Sequence, residues 1–198
     1  MHLTLFATPI INTLFRLLAN FTLFCFGWKT MGKKPDEKKY VIIAAPHTSN
    51  WDLFFMMLIA LKLDIHIYWI GKDSLFKFPF KNTMQWLGGI PVDRSKSNDV
   101  VASMVKTFNE CDELVLSIPP EGTRSHTVYW KTGFYHMANG AGIPICLGFL
   151  DYAKKEGGIG PMFQPSGDIE KDMIEIKTFY KNITGKYPDR FQAGEENK

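Results

Sequence analysis

His47 and Asp52 stand five residues apart, where the apolar run 41–45 meets a segment apolar enough to be a packed helix. Residues 41–45 read as a short buried strand and residues 53–63 as helix. Ser49 or Asn50 is placed to cap that helix, which puts Asp52 in its first turn. His47 then leaves the strand in a loop, beside a carboxylate able to accept its Nδ1 proton. An imidazole held in that tautomer has Nε2 available as a general base toward an alcohol. The pair alone carries little weight, because such spacings arise often by chance.

Downstream segments add to it. Gly71 and Lys72 follow one short strand, and Gly88-Gly89-Ile90-Pro91-Val92-Asp93-Arg94 surrounds another. Pro120-Glu121-Gly122-Thr123-Arg124-Ser125 follows a third, and Ile143-Pro144-Ile145 opens a fourth. In this order and at these separations the set resembles the motif blocks of the glycerolipid acyltransferase family, which includes the 1-acylglycerol-3-phosphate acyltransferases and is marked by His-x4-Asp. The similarity runs from about residue 41 to residue 152. The resemblance implies that His47 is the base, that Asp52 orients it, and that Glu121 to Arg124 with the region ending at Arg94 hold the acceptor's phosphate.

The chemistry agrees with those assignments. Acyl transfer from a thioester to an alcohol needs a proton acceptor, oxyanion stabilisation and a held acceptor. His47 supplies the first, a role generally worth about 10²–10⁴ in rate, and Asp52 would stabilise the imidazolium. The attacking hydroxyl belongs to the substrate, so no enzyme nucleophile is required, and no Gly-x-Ser-x-Gly elbow is present. Backbone amides are the expected oxyanion donors. Arg94 and Arg124 offer planar forks for phosphate oxygens; Lys72 and Lys131 offer point charges. Gly122 admits close backbone approach and Thr123 adds a hydroxyl. Glu121, a carboxylate beside an anionic ligand, is expected to fix Arg124 or the loop. His126 is a rival base with no carboxylate following it; His66 and His136 read as structural. Pro119 and Pro91 stand where the family often carries aromatic residues, beside the acceptor pocket.

The elements that must position these groups alternate. Strands are expected at 41–45, 66–70, 90–92, 114–118 and 144–150, with helices at 51–63, 79–87, 100–109, 133–140 and 168–181. Alternation implies an α/β domain with a mixed central sheet flanked by helices. Every motif then lies beyond the carboxyl end of a strand, where open α/β sheets bind ligands. The expected organisation is an apolar helix in 1–30, a basic linker in 31–40, an acyltransferase domain in 41–185 and a fraying polar tail in 186–198.

Residues 3–28 are nearly all apolar and as one helix would extend roughly 39 Å, enough to span a bilayer core. Pro9 and the stripe Asn12, Arg16 and Asn20 argue instead for a helix lying in the membrane interface, with a helix packed over the catalytic domain as the remaining alternative. No basic residue precedes the apolar run and no cleavage site ends it, which disfavours a signal peptide. Five lysines between Lys29 and Lys39 oppose Asp36 and Glu37, an excess matching the whole chain's +3. That cluster suits an anionic lipid surface. Phe residues around 76–80 also suggest a greasy contact.

A charge of +3 with no basic–aromatic patch excludes nucleic acid as a partner. Cys25, Cys111 and Cys146 are too few and too scattered for a disulfide framework or zinc site, so reduced, cytoplasmic chemistry is expected, with no metal and no cofactor. The reading is a membrane-associated enzyme on the cytoplasmic face, using acyl-CoA or acyl-carrier protein as co-substrate to acylate a lysophosphatidate or related lysophospholipid. A thioesterase or lipid hydrolase, and a non-catalytic membrane-binding module, are the alternatives.

Overall fold

The computed structural model describes residues 3–93, 97–127, 129–191 and 193. In chain order it contains α1 (Pro9–Cys25), β1 (Lys29–Met31), β2 (Lys39–Ala45), α2 (Trp51–Leu63), β3 (Ile67–Lys72), α3 (Lys81–Trp86), β4 (Gly89–Val92), α4 (Ser97–Glu110), β5 (Leu114–Ile118), α5 (Gly133–Ala141), β6 (Ile145–Asp151), β7 (Glu156–Phe163) and α6 (Ile169–Tyr180). The strands form one sheet in the order β1-β7-β6-β2-β5-β3-β4. Neighbours are parallel except the β6–β7 pair, which is antiparallel. The expected mixed α/β sheet is thus observed.

β2 is central because its sequence allows burial on both faces, as parallel strands require. Ile42 packs with the layer made by α1, α2 and α3. Val41, Ile43 and Ala45 pack with α4, α5 and α6 on the other side. α2 is apolar nearly all round, the mark of a helix covered on both sides, and lies between the sheet and α1.

Two strands were not expected. β7 carries Gly157, Gly158, Gly160 and Pro161, residues that weaken a strand locally. Pairing with β6 holds it, and the missing side chain at Gly158 lets β1 approach, since a Cβ there would overlap the Met31 carbonyl. β1 and the start of β2 therefore occupy parts of the stretches assigned to the N-terminal helix and the basic linker. α3 begins at Lys81 rather than 79, because Lys77 to Phe80 closes a turn first. β3 begins at Ile67, since Asp64 ends α2 in a left-handed conformation and delays the strand.

The N-terminal apolar segment folds as a three-residue 3-10 helix and the 17-residue α1 rather than one long helix. Among the described residues no helix is long and apolar enough to cross a membrane. Two residues of its polar stripe, Asn12 and Arg16, are turned toward the protein, while Asn20 is exposed. Arg16 pairs with Asp64 at 3.0 Å and Asn12 donates to the Phe6 carbonyl. Ala19 and Leu23 are buried beside them. The opposite stripe, Ile10, Leu14, Leu17, Phe21 and Phe24, is at least 60% exposed at every position.

Residues 186–191 do not fray. The Tyr187 amide donates to Thr48 Oγ1 at 3.2 Å, and Phe191 bridges to Thr127.

Candidate active site

The loop after β2 is folded around the Asp52 carboxylate. The backbone amides of Thr48 and Ser49 both donate to Asp52 Oδ2 at 2.7 Å, and Ser49 Oγ accepts from the Trp51 amide. Asp52 thus ties down the loop that leads into its own helix, whose N-cap residue Asn50 makes no side-chain capping bond. Asp52 is 4% exposed, so these donors replace the water it has lost. His47 Nδ1 lies 3.3 Å from the same Oδ2. The imidazole lines a cavity of about 610 Å³, within the range of about 300–1,000 Å³ that suits one ligand. With Nδ1 turned to Asp52, Nε2 is the nitrogen left for chemistry there.

The cavity has two characters. Around the mouth are His47, Lys72, Thr123, Arg124 and Ser125. Inward, between α2 and the sheet, its walls are Met56, Ile59, Ala60, Ile65, Ile67 and Ile159. A polar, cationic rim leads into a hydrocarbon-lined interior.

Glu121 lies beneath the loop rather than at the rim. It is 4% exposed, and its Oε1 accepts from the His47 amide at 2.8 Å. Burial pushes its carboxyl up to about 7, against those hydrogen bonds and the neighbouring His47. Oε2 has no hydrogen-bond partner among the described residues. Its expected loop-fixing role is therefore exerted on His47. Gly122 takes φ 63°, a conformation costly for other residues, and a Cβ there would meet Lys131 Cδ at 2.8 Å.

Most of the expected acceptor residues converge with His47: Lys72, Gly122, Thr123 and Arg124 line its cavity. Lys131 lines a neighbouring cavity with Trp130 and His136, meeting the first at Pro119 and Gly122. Arg94 lies outside the described residues. His126 is exposed, outside the lining of the cavity. His66 stacks on Phe6 at 5.5 Å, and burial lowers its basicity.

Sequence reasoning missed Tyr152, whose hydroxyl donates to Asp52 Oδ1 at 2.7 Å. It also missed Thr48, the anchor for Tyr187. Neither side-chain contact had a local signal, because the Tyr152–Asp52 and Tyr187–Thr48 bonds span long sequence separations.

The Acyltransferase family model matches residues 29–146. The chain is 32% identical over 130 residues to a 1-acyl-sn-glycerol-3-phosphate acyltransferase of Haemophilus influenzae, covering 61% of this chain and 52% of that one. The enzyme of the same name from Escherichia coli is 33% identical over 130 residues, covering 61% and 51%. The chain spans about half the length of the curated relatives it matches. The crystal structure of the 1-acyl-sn-glycerophosphate acyltransferase from Thermotoga maritima superposes with a TM-score of 0.62 at 15% identity, covering 88% of this chain and 78% of that one; this likeness is one of fold. With the family match extending over more than half of its length, the chain belongs to the glycerolipid acyltransferase family.

Proposed function

We propose that this protein transfers a fatty acyl group from acyl-CoA or acyl-carrier protein to the hydroxyl of lysophosphatidate or a related lysophospholipid, with His47 as general base. The observation that carries this reading is one cavity with His47 and two cations at its rim and a hydrocarbon-lined interior. A fatty chain fits the interior, and a phosphate ester fits Lys72 and Arg124.

His47 Nε2 takes the acceptor's hydroxyl proton as the oxygen attacks the thioester carbonyl. Asp52 stabilises the resulting imidazolium. As the tetrahedral intermediate collapses, the C–S bond breaks and the imidazolium returns the proton to sulfur. The products are the new ester and the free thiol, and His47 is regenerated.

The reading includes attachment to the cytoplasmic face of a membrane, supported by the outward apolar stripe of α1 and the lysines that follow it. Phe78 and Phe80, exposed a few residues beyond Leu75 of the cavity lining, supply further apolar surface. Both substrates carry chains that reside in or near lipid.

The test is thiol release from a long-chain acyl-CoA in detergent, with and without lysophosphatidate, on the parent and His47→Ala proteins. Acceptor-dependent release that falls about 10²–10⁴-fold in the variant supports the reading. Acceptor-independent release points to hydrolysis. Silence with both acyl-CoA and acyl-carrier-protein donors, across lysophospholipid acceptors, would sink it.

A further inference from the structure

Asp52 has two oxygens with unequal duties. Oδ2 receives the Thr48 and Ser49 amides and faces His47 Nδ1. Oδ1 receives one donor among the described residues, the Tyr152 hydroxyl at 2.7 Å. The two amides on Oδ2 set where the carboxylate sits, while the donor on Oδ1 sets how it is turned about its own axis. That rotation decides whether an Oδ2 lone pair points along the imidazole N–H, and hydrogen bonds weaken steeply with misalignment.

Tyr152 is itself held from several sides. Its amide donates to the Thr184 carbonyl at 2.9 Å. Its ring meets Trp28 edge-on at 5.0 Å, and Lys186 Nζ lies 5.9 Å from its centroid. Burial and the neighbouring Asp52 carboxylate push its phenol well above the ordinary tyrosine range, so it remains a donor. Tyr152 follows β6, outside the residues matched by the family model.

We propose that Tyr152 is a positioning residue for acyl transfer: its hydroxyl locks the Asp52 carboxylate in the rotation that orients His47. This rests on the proposed reaction and on His47 as its base. The C-terminal segment is drawn into the same support, because Tyr187 holds Thr48 while Thr184 and Lys186 hold Tyr152.

The experiment compares the full-length parent, Tyr152→Phe, Asp52→Asn and the double variant. Phenylalanine keeps the ring and removes only the donor. Steady-state transfer should show kcat reduced about tenfold in Tyr152→Phe, with KM for donor and acceptor within about twofold. In the Asp52→Asn background the same change should cost less than about twofold, since residues acting through one partner are not additive. The His47 Nδ1–H proton resonance, assigned by its loss in His47→Ala, should shift in Tyr152→Phe. An unchanged kcat, a loss confined to KM, or full additivity with Asp52→Asn overturns the proposal. If the parent transfers no acyl group, the proposed function fails, and the resonance then decides on Tyr152 alone: unshifted, it overturns the positioning role.

Discussion

Glu121 Oε1 accepts the backbone N–H of His47 at 2.8 Å across 74 residues of sequence. The bond ties the loop after β5 to the loop after β2, so the strand that presents Arg124 also fixes the main chain of the candidate base. It explains why a carboxylate sits one residue from a glycine and three from an arginine in a site suited to anions. The carboxylate is turned beneath the histidine, away from the rim.

That burial has a pH consequence. Folding raises the Glu121 carboxyl from an ordinary 4.5 to about 7, so the fold favours its neutral form. The associated stability is fully present below about 4.5 and is lost as the pH rises through about 7. Glutamine keeps an oxygen for the His47 amide and does not titrate. Glu121→Gln should therefore gain stability relative to the parent between pH 5 and pH 8, by on the order of 2–3 kcal/mol at about 1.4 kcal/mol per unit. Urea denaturation of both proteins at the two pH values measures it. A constant difference would show that Glu121 does not titrate in this window.

The cavity interior sets a second expectation. Ala60 lies on α2, 4% exposed, in the apolar wall. A phenylalanine there would fill space that the distal end of a fatty chain would otherwise use. Ala60→Phe should lower kcat/KM for long-chain donors at least tenfold and leave a short-chain donor within about threefold, since each excluded methylene is worth about 1–3 kcal/mol. A series of acyl-CoA lengths reads this directly. A uniform loss at all lengths would place the chain elsewhere.

Much of this arrangement was legible in the residues. The run into β2, the apolar α2 and Asp52 in its first turn follow from local pattern, and they place the His47–Asp52 pair. Lys72 and Arg124 were legible as partners because one ends and the other follows a strand of the same α/β sheet, at the carboxyl side. β7 was not legible: its glycines and proline argue against a strand, and only its pairing with β6 and β1 stabilises it. Lys131 reads as a point charge for phosphate, but it packs against Gly122 and lines the neighbouring cavity. Tyr152 reaches Asp52 from 100 residues away, a separation that local pattern does not encode. In α1 the helical period was legible while its orientation was not, because the inward partner of Arg16 is Asp64, the residue that ends α2.

That orientation leads to the remaining expectation. Most surface helices bury their apolar stripe and expose their polar one. α1 departs from this: Arg16 and Asn12 face inward beside buried Ala19 and Leu23, while Leu17 and Phe21 are each 64% exposed. The Arg16–Asp64 pair is about two-fifths exposed on each side, so it contributes little to stability and serves mainly to set the rotation of the helix. Leu17→Glu with Phe21→Glu removes two side chains whose full burial is worth about 1.5–3 kcal/mol each and adds charge facing an anionic surface. Both positions are exposed, so the melting temperature should stay within about 2 °C, in keeping with surface substitutions of about ±0.5 kcal/mol. Cosedimentation with vesicles of phosphatidylglycerol and phosphatidylethanolamine should fall at least tenfold, while activity on detergent-dispersed substrate stays near the parent's. Unchanged cosedimentation would remove α1 as the attachment surface and leave the lysines after it, whose contribution added salt would abolish.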